Sequence, residues 1–180
     1  SAAAELILYL PKAIANPVLV RSSDAGDTFP YSEIFRSLSA LLVLAAALWA
    51  VVAPLAMVIL LGDNMTDVAI LLLLLLPGTF LLGIGTTASY ALFGLHEMQK
   101  PLIAATIAII AKVIITLLLV PFFGLNGVAI ATTVAYAAFS YVALTGIAPK
   151  ARISPIVLAL PDFVSLTHRF INLTRVLYSK

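Results

Sequence analysis

Two lysines interrupt stretches that are otherwise apolar, and they are the residues best placed to do chemistry. Lys12 stands in the first apolar stretch, and Lys112 stands between Ile107–Ala111 and Val113–Ile115. If the surrounding helices cross a bilayer, Lys112 lies 11 residues beyond Pro101, roughly 16 Å from the nearer boundary. Lys12 lies 9 residues before Arg21, roughly 14 Å from the same boundary. A lone ammonium at the bilayer centre costs at least ~3 kcal/mol on insertion scales. Two at matching depth therefore point to a shared hydrated cavity that receives an anionic, phosphate-like group. The bland alternative is that each lysine snorkels or pairs privately. Asn16 adds a polar group to the first span and is counted with the two lysines as cavity lining. Glu5, seven residues before Lys12 on the same helix face, is the candidate charge partner or coupling carboxylate, and it reaches Lys12 only through water or a neighbour.

Other chemistry is poorly supported. His96-Glu97 can move protons, but nothing nearby completes a site, and the pair reads as a solvated turn. Gly83-Ile-Gly85-Thr-Thr-Ala88 mimics a dinucleotide fingerprint but lacks the preceding strand and lies inside an apolar span. With no cysteine, disulfides and thiolate metal sites are excluded. No nucleophile–base pair, metal cluster or phosphate loop is visible, so neither an enzyme nor a metal or other cofactor is expected.

The elements that must hold these residues are membrane helices. Hydrophobic residues make up 63% and charged residues 10% of the chain, against roughly 25% charged in a soluble domain. The expected fold is an all-α membrane protein with five spans, at about 2–20, 38–61, 68–93, 102–120 and 125–148, each near 20 residues and so near 30 Å of helix. A transmembrane bundle over 1–149 is followed by a tail over 150–180. Pro54 is placed to kink the second span, and Pro77 divides a leucine run from a segment of small residues in the third. Gly83 and Gly85, and the stripe Gly127, Ala131 and Ala135, mark faces where helices approach closely. The short loops at 62–67, 94–101 and 121–126 make consecutive helices antiparallel neighbours. From Pro161 the tail predicts an amphipathic helix, with Phe163, Leu166, Phe170, Leu173 and Leu177 on one side and basic residues on the other. Such a helix suits an anionic leaflet or the end of the bundle about equally.

Charge sets the direction of insertion. Arg21, Arg36, Lys100, Lys150, Arg152, Arg169, Arg175 and Lys180 all fall in segments on one side, while the loops 62–67 and 121–126 carry no basic residue. Lysine and arginine favour the cytoplasmic face, so the C-terminus is expected in the cytoplasm. The one-sidedness argues for a membrane surface and against a nucleic-acid partner. An outside N-terminus that begins at Ser1 without a signal predicts that upstream helices belong to the complete protein.

One resemblance follows from two segments. Ala91-Leu-Phe-Gly-Leu-His-Glu-Met-Gln-Lys-Pro101, then an apolar helix, then Val120-Pro-Phe-Phe-Gly-Leu-Asn-Gly-Val-Ala-Ile-Ala-Thr132, resembles the O-antigen type polysaccharide lipid flippases. These belong to the multidrug/oligosaccharidyl-lipid/polysaccharide exporter superfamily. The resemblance covers the chain to about residue 150 and makes it a C-terminal fragment, with the five spans as helices eight to twelve of the parent. It implies alternating-access flipping of a polyprenyl-pyrophosphate-linked oligosaccharide across the bacterial or archaeal cytoplasmic membrane. It also implies a missing N-terminal lobe as partner and a cationic cavity to which Lys12 and Lys112 belong. The coupling ion is not implied. Two alternatives stand beside it. A drug/cation antiporter of the same superfamily would use membrane carboxylates, of which only Glu5 qualifies. A non-transporting membrane assembly subunit would use the small-residue stripes as partner faces.

Overall fold

A computed structural model describes residues 15–20, 22–24, 30–61 and 66–162. These residues are helical wherever they are regular. The main helices are α1 (Tyr31–Leu61), α2 (Thr66–Gly94), α3 (Gln99–Ala151) and α4 (Pro155–Ala159), with further helical residues at 15–20 and 22–24. By length and composition, α1, α2 and α3 each suffice to cross a membrane. Most of the first expected span lies outside the described residues.

Helix α1 starts seven residues before the expected Leu38. Tyr31 and Phe35 are fully buried and anchor this first turn against the other helices, and Glu33 lies where the helix dipole favours an acid. The stretch around Arg36 is therefore helix, continuous with the span that follows. Both α1 and α2 run through their inner prolines, Pro54 and Pro77, without a break in the helix.

Helix α3 is two helices joined end to end. A straight helix of 53 residues would be ~80 Å long. Gly124 instead adopts φ 54° and ψ −130°, and there the chain reverses. A Cβ at Gly127 would stand 2.8 Å from the backbone of Leu119, and one at Gly146 would stand 2.9 Å from Lys100. In an unbroken helix residues 100 and 146 would be ~70 Å apart. The arms 99–123 and 125–151 are thus antiparallel, as the loop at 121–126 predicts. Pro121 cannot donate to the helix ladder, and Gly124 alone accepts the positive φ without a Cβ clash.

The second arm packs along α2 in the same direction. Gly78 faces Thr133, Gly85 faces Ser140, and Leu92 faces Gly146, so positions on both helices advance together in steps of about seven. That repeat is the signature of a left-handed crossing at a shallow angle. A Cβ on Gly78 or Gly85 would fall 2.9 or 2.8 Å from the opposing Cα. Two hydroxyls complete the seam across the same register: Thr133 Oγ1 donates to the Leu74 carbonyl at 2.9 Å, and Ser140 Oγ donates to that of Leu81.

The buried core is concentrated at one end of the molecule. Tyr31, Phe35, Leu38 and Leu42 of α1 meet Ile84, Ala88, Ala91 and Leu92 of α2, with Ala143, Leu144 and Ile147 of α3 and Leu158 of α4. Away from it the outer faces of the helices are uncovered. Val51 is 70% exposed in α1, and Leu117 and Phe122 are 71% and 82% exposed near the tip of the α3 hairpin.

Candidate functional site

Lys112 lies halfway along the first arm of α3, 13 residues from Gln99 and 12 from Gly124. This arm packs through a stripe that includes Pro101, Ala104, Ala108, Ala111, Ile115 and Leu119, spaced three and four apart. Lys112 roots at the margin of that stripe and is exposed, next to the exposed Ile109 and Val113. The described residues do not enclose it in a cavity. One turn further on, at the spacing that places two side chains together on a helix, the Thr116 hydroxyl is buried without a hydrogen-bond partner. Other hydroxyls in these helices reach a backbone carbonyl, as Thr106 does that of Leu102 at 3.0 Å and Thr132 that of Val128 at 2.9 Å. Lys112 thus presents an exposed ammonium midway along the arm, with the buried Thr116 hydroxyl one turn on. Sequence reasoning missed Thr116; its signal is the i, i+4 spacing from the lysine.

The remaining expected lining is spread out. Asn16 is exposed on the short helical segment at 15–20, whose Ala15 and Val18 are buried. Lys12 and Glu5 lie outside the described residues. Gly83, Gly85, Gly127, Ala131 and Ala135 are all buried; Gly85 faces Ser140, and Gly127 faces Leu119 on the opposite arm of the α3 hairpin. No group of three or more acidic or histidine side chains that could hold a metal occurs among the described residues.

A second cluster stands at the core end. Glu97, in the turn between α2 and α3, pairs with Lys100 at 2.6 Å and with Lys150 at 3.7 Å. It thereby ties together the two ends of the α3 hairpin. Arg36 pairs with Asp162 at 3.3 Å, and the Asp162 backbone N–H donates to the Arg36 carbonyl at 3.3 Å. Arg36, Lys100 and Lys150, which sequence reasoning assigned to one side, are therefore at one end of the bundle. An open groove of about 530 Å³ runs along His96–Lys100. Its charged pair, Glu97 and Lys100, is engaged internally.

In comparisons with known proteins, no family model, no curated protein and no solved structure matches this chain.

Proposed function

We propose that the chain is part of an exporter that flips a lipid-linked oligosaccharide across a cytoplasmic membrane by alternating access, and that Lys112 contacts the substrate's pyrophosphate. In this reading the chain crosses the membrane five times. The end that carries Arg36, Lys100 and Lys150 faces the cytoplasm, where basic residues are favoured. The observation that carries the reading is an ammonium that stands exposed midway along an otherwise apolar arm. A lysine left against acyl chains there is costly, so the exposed margin of this arm is expected to border a polar space, closed on its far side by a second lobe. A pyrophosphate supplies the negative charge for Lys112 and acceptors for its three N–H donors.

The test is Lys112→Ala in the complete exporter, scored by surface polysaccharide. Loss of a charge-assisted contact of ~1.5–3 kcal/mol predicts at least a tenfold fall in export, with Lys112→Arg retaining most of it. Unchanged export by the alanine variant at normal protein level would remove Lys112 from the mechanism and leave the proposal without its support.

A further inference from the structure

Burial divides the α1–α2 pair into two halves. At the basic end, α1 buries Tyr31, Phe35, Leu38 and Leu42, and α2 buries Ile84, Ala88, Ala91 and Leu92. Toward the far end, none of the side chains described at 43–52, 55 and 71–77 is buried. On α2 the border is sharp: Pro77 is exposed, and Gly78 is buried against Thr133 of α3. Helix α1 ends at Leu61 and α2 begins at Thr66, so their far halves are joined within a few residues and a displacement of one carries the other.

The backbone of α2 is weakened at that same border. Pro77 has no N–H for the Leu73 carbonyl, and its ring crowds the preceding turn. The Thr79 hydroxyl turns back to the Leu76 carbonyl at 2.8 Å, the kind of bond that bends a helix. On the basic side of the border, Gly78 and Gly85 clamp α2 to α3, each lying too close to the opposing Cα to admit a Cβ. On the far side, a hydroxyl of α3 supplies a restraint, as Thr133 Oγ1 donates to the Leu74 carbonyl at 2.9 Å. A helix with one half clamped, a ladder bond missing at the edge of the clamp and a bare remainder bends at that edge.

We propose that the far half of the α1–α2 hairpin is a flap that swings about Pro77, with the Thr133 hydroxyl as its restraint. Gly78 is level with Thr133, nine residues past the Gly124 turn, and Lys112 lies twelve residues before that turn. The hinge therefore stands roughly 14 Å and the lysine roughly 18 Å from the hairpin tip. The swing takes place on the far side of the lysine's level, leaves the ion-paired basic end in place, and does not depend on what the protein carries.

The chain has no cysteine, so the test places spin-label pairs in the full chain reconstituted in lipid. Thr66→Cys with Phe122→Cys spans from the flap to the hairpin tip. Phe93→Cys with Phe122→Cys spans from the clamped half of α2 to the same tip. Thr66 is eleven residues, ~16 Å, from Pro77, so a change in kink of ~20° moves it by ~6 Å. The Thr66 pair is expected to show a distance distribution ~6 Å wider than the Phe93 pair. Pro77→Ala restores the missing N–H and is expected to narrow the Thr66 pair to the width of the Phe93 pair. Thr133→Val, of nearly the same shape, is expected to widen it further. Equal widths for the two pairs in the parent chain would overturn the flap. Excess width that survives Pro77→Ala would place the motion elsewhere and overturn the hinge. No response to Thr133→Val would overturn the restraint.

Discussion

His96 adopts φ 60°, a left-handed conformation that glycine accepts more cheaply. The hydrogen bonds explain why. The Glu97 N–H reaches the Leu92 carbonyl at 2.9 Å and the His96 N–H reaches that of Phe93 at 3.0 Å, the paired closure that ends a helix with one left-handed residue. This closure aims Glu97 back at Lys100 and Lys150. The fixed backbone predicts that His96→Gly raises stability by about 0.5–1 kcal/mol in detergent unfolding, since Glu97 keeps its place. A loss of stability would show that the imidazole makes a favourable contact that outweighs its backbone cost. Lys112 illustrates what a residue's sequence position conveys. Counting from Pro101 gives its depth, because helical rise is constant. Its exposure depends on which stripe of the arm packs, and that is decided by the neighbouring arm.

At the scale of elements, the α2–α3 seam makes a sharp demand on side-chain size. A Cβ at Gly85 would meet the Ser140 Cα at 2.8 Å, a backbone atom that has nowhere to move. Gly85→Val is expected to cost ~1–3 kcal/mol by overpacking, read as a lower midpoint in thermal or denaturant unfolding in micelles, whereas Gly124→Ala would strain the hairpin turn alone. An unchanged midpoint for Gly85→Val would mean that the two helices are not in this register. The small-residue faces and the turn at Pro121–Gly124 were legible from composition, because glycine and proline mark close approach and chain reversal wherever they occur. The pairing of Gly78 with Thr133 and Gly85 with Ser140 was not. A helix's own residues define its apolar and small faces but not the register of its partner, and Thr133 and Ser140 look like ordinary membrane hydroxyls until Leu74 and Leu81 stand opposite them. Helix α4 carried a readable Ser154-Pro155 start, yet five residues are too few for periodicity to separate from loop.

For the whole molecule, the ion pairs at Glu97 and Arg36 put three basic positions, distant in sequence, at one end, while the hairpin tip at 121–126 lies at the other. The chain has no cysteine, so single replacements report on sidedness without background. Asn126→Cys and Arg152→Cys, both at exposed positions, are expected to react with an impermeant maleimide from opposite faces of sealed vesicles. Labelling of both from the same face would mean that the second arm of α3 does not cross. That these three basic positions share one side was legible from the sequence, since it depends only on which segments hold lysine and arginine.

The parallel pairing of α2 with the later arm of α3 bears on how the chain is made. A ribosome delivers α2, then the first arm, and only afterwards the partner that α2 binds through Gly78 and Gly85. Until then the notches at Gly78 and Gly85 lack Thr133 and Ser140, the residues they close on. Assembly of this bundle is thus expected to finish late in synthesis, with Glu97 gaining Lys150 as its second lysine as one of the last ties to form.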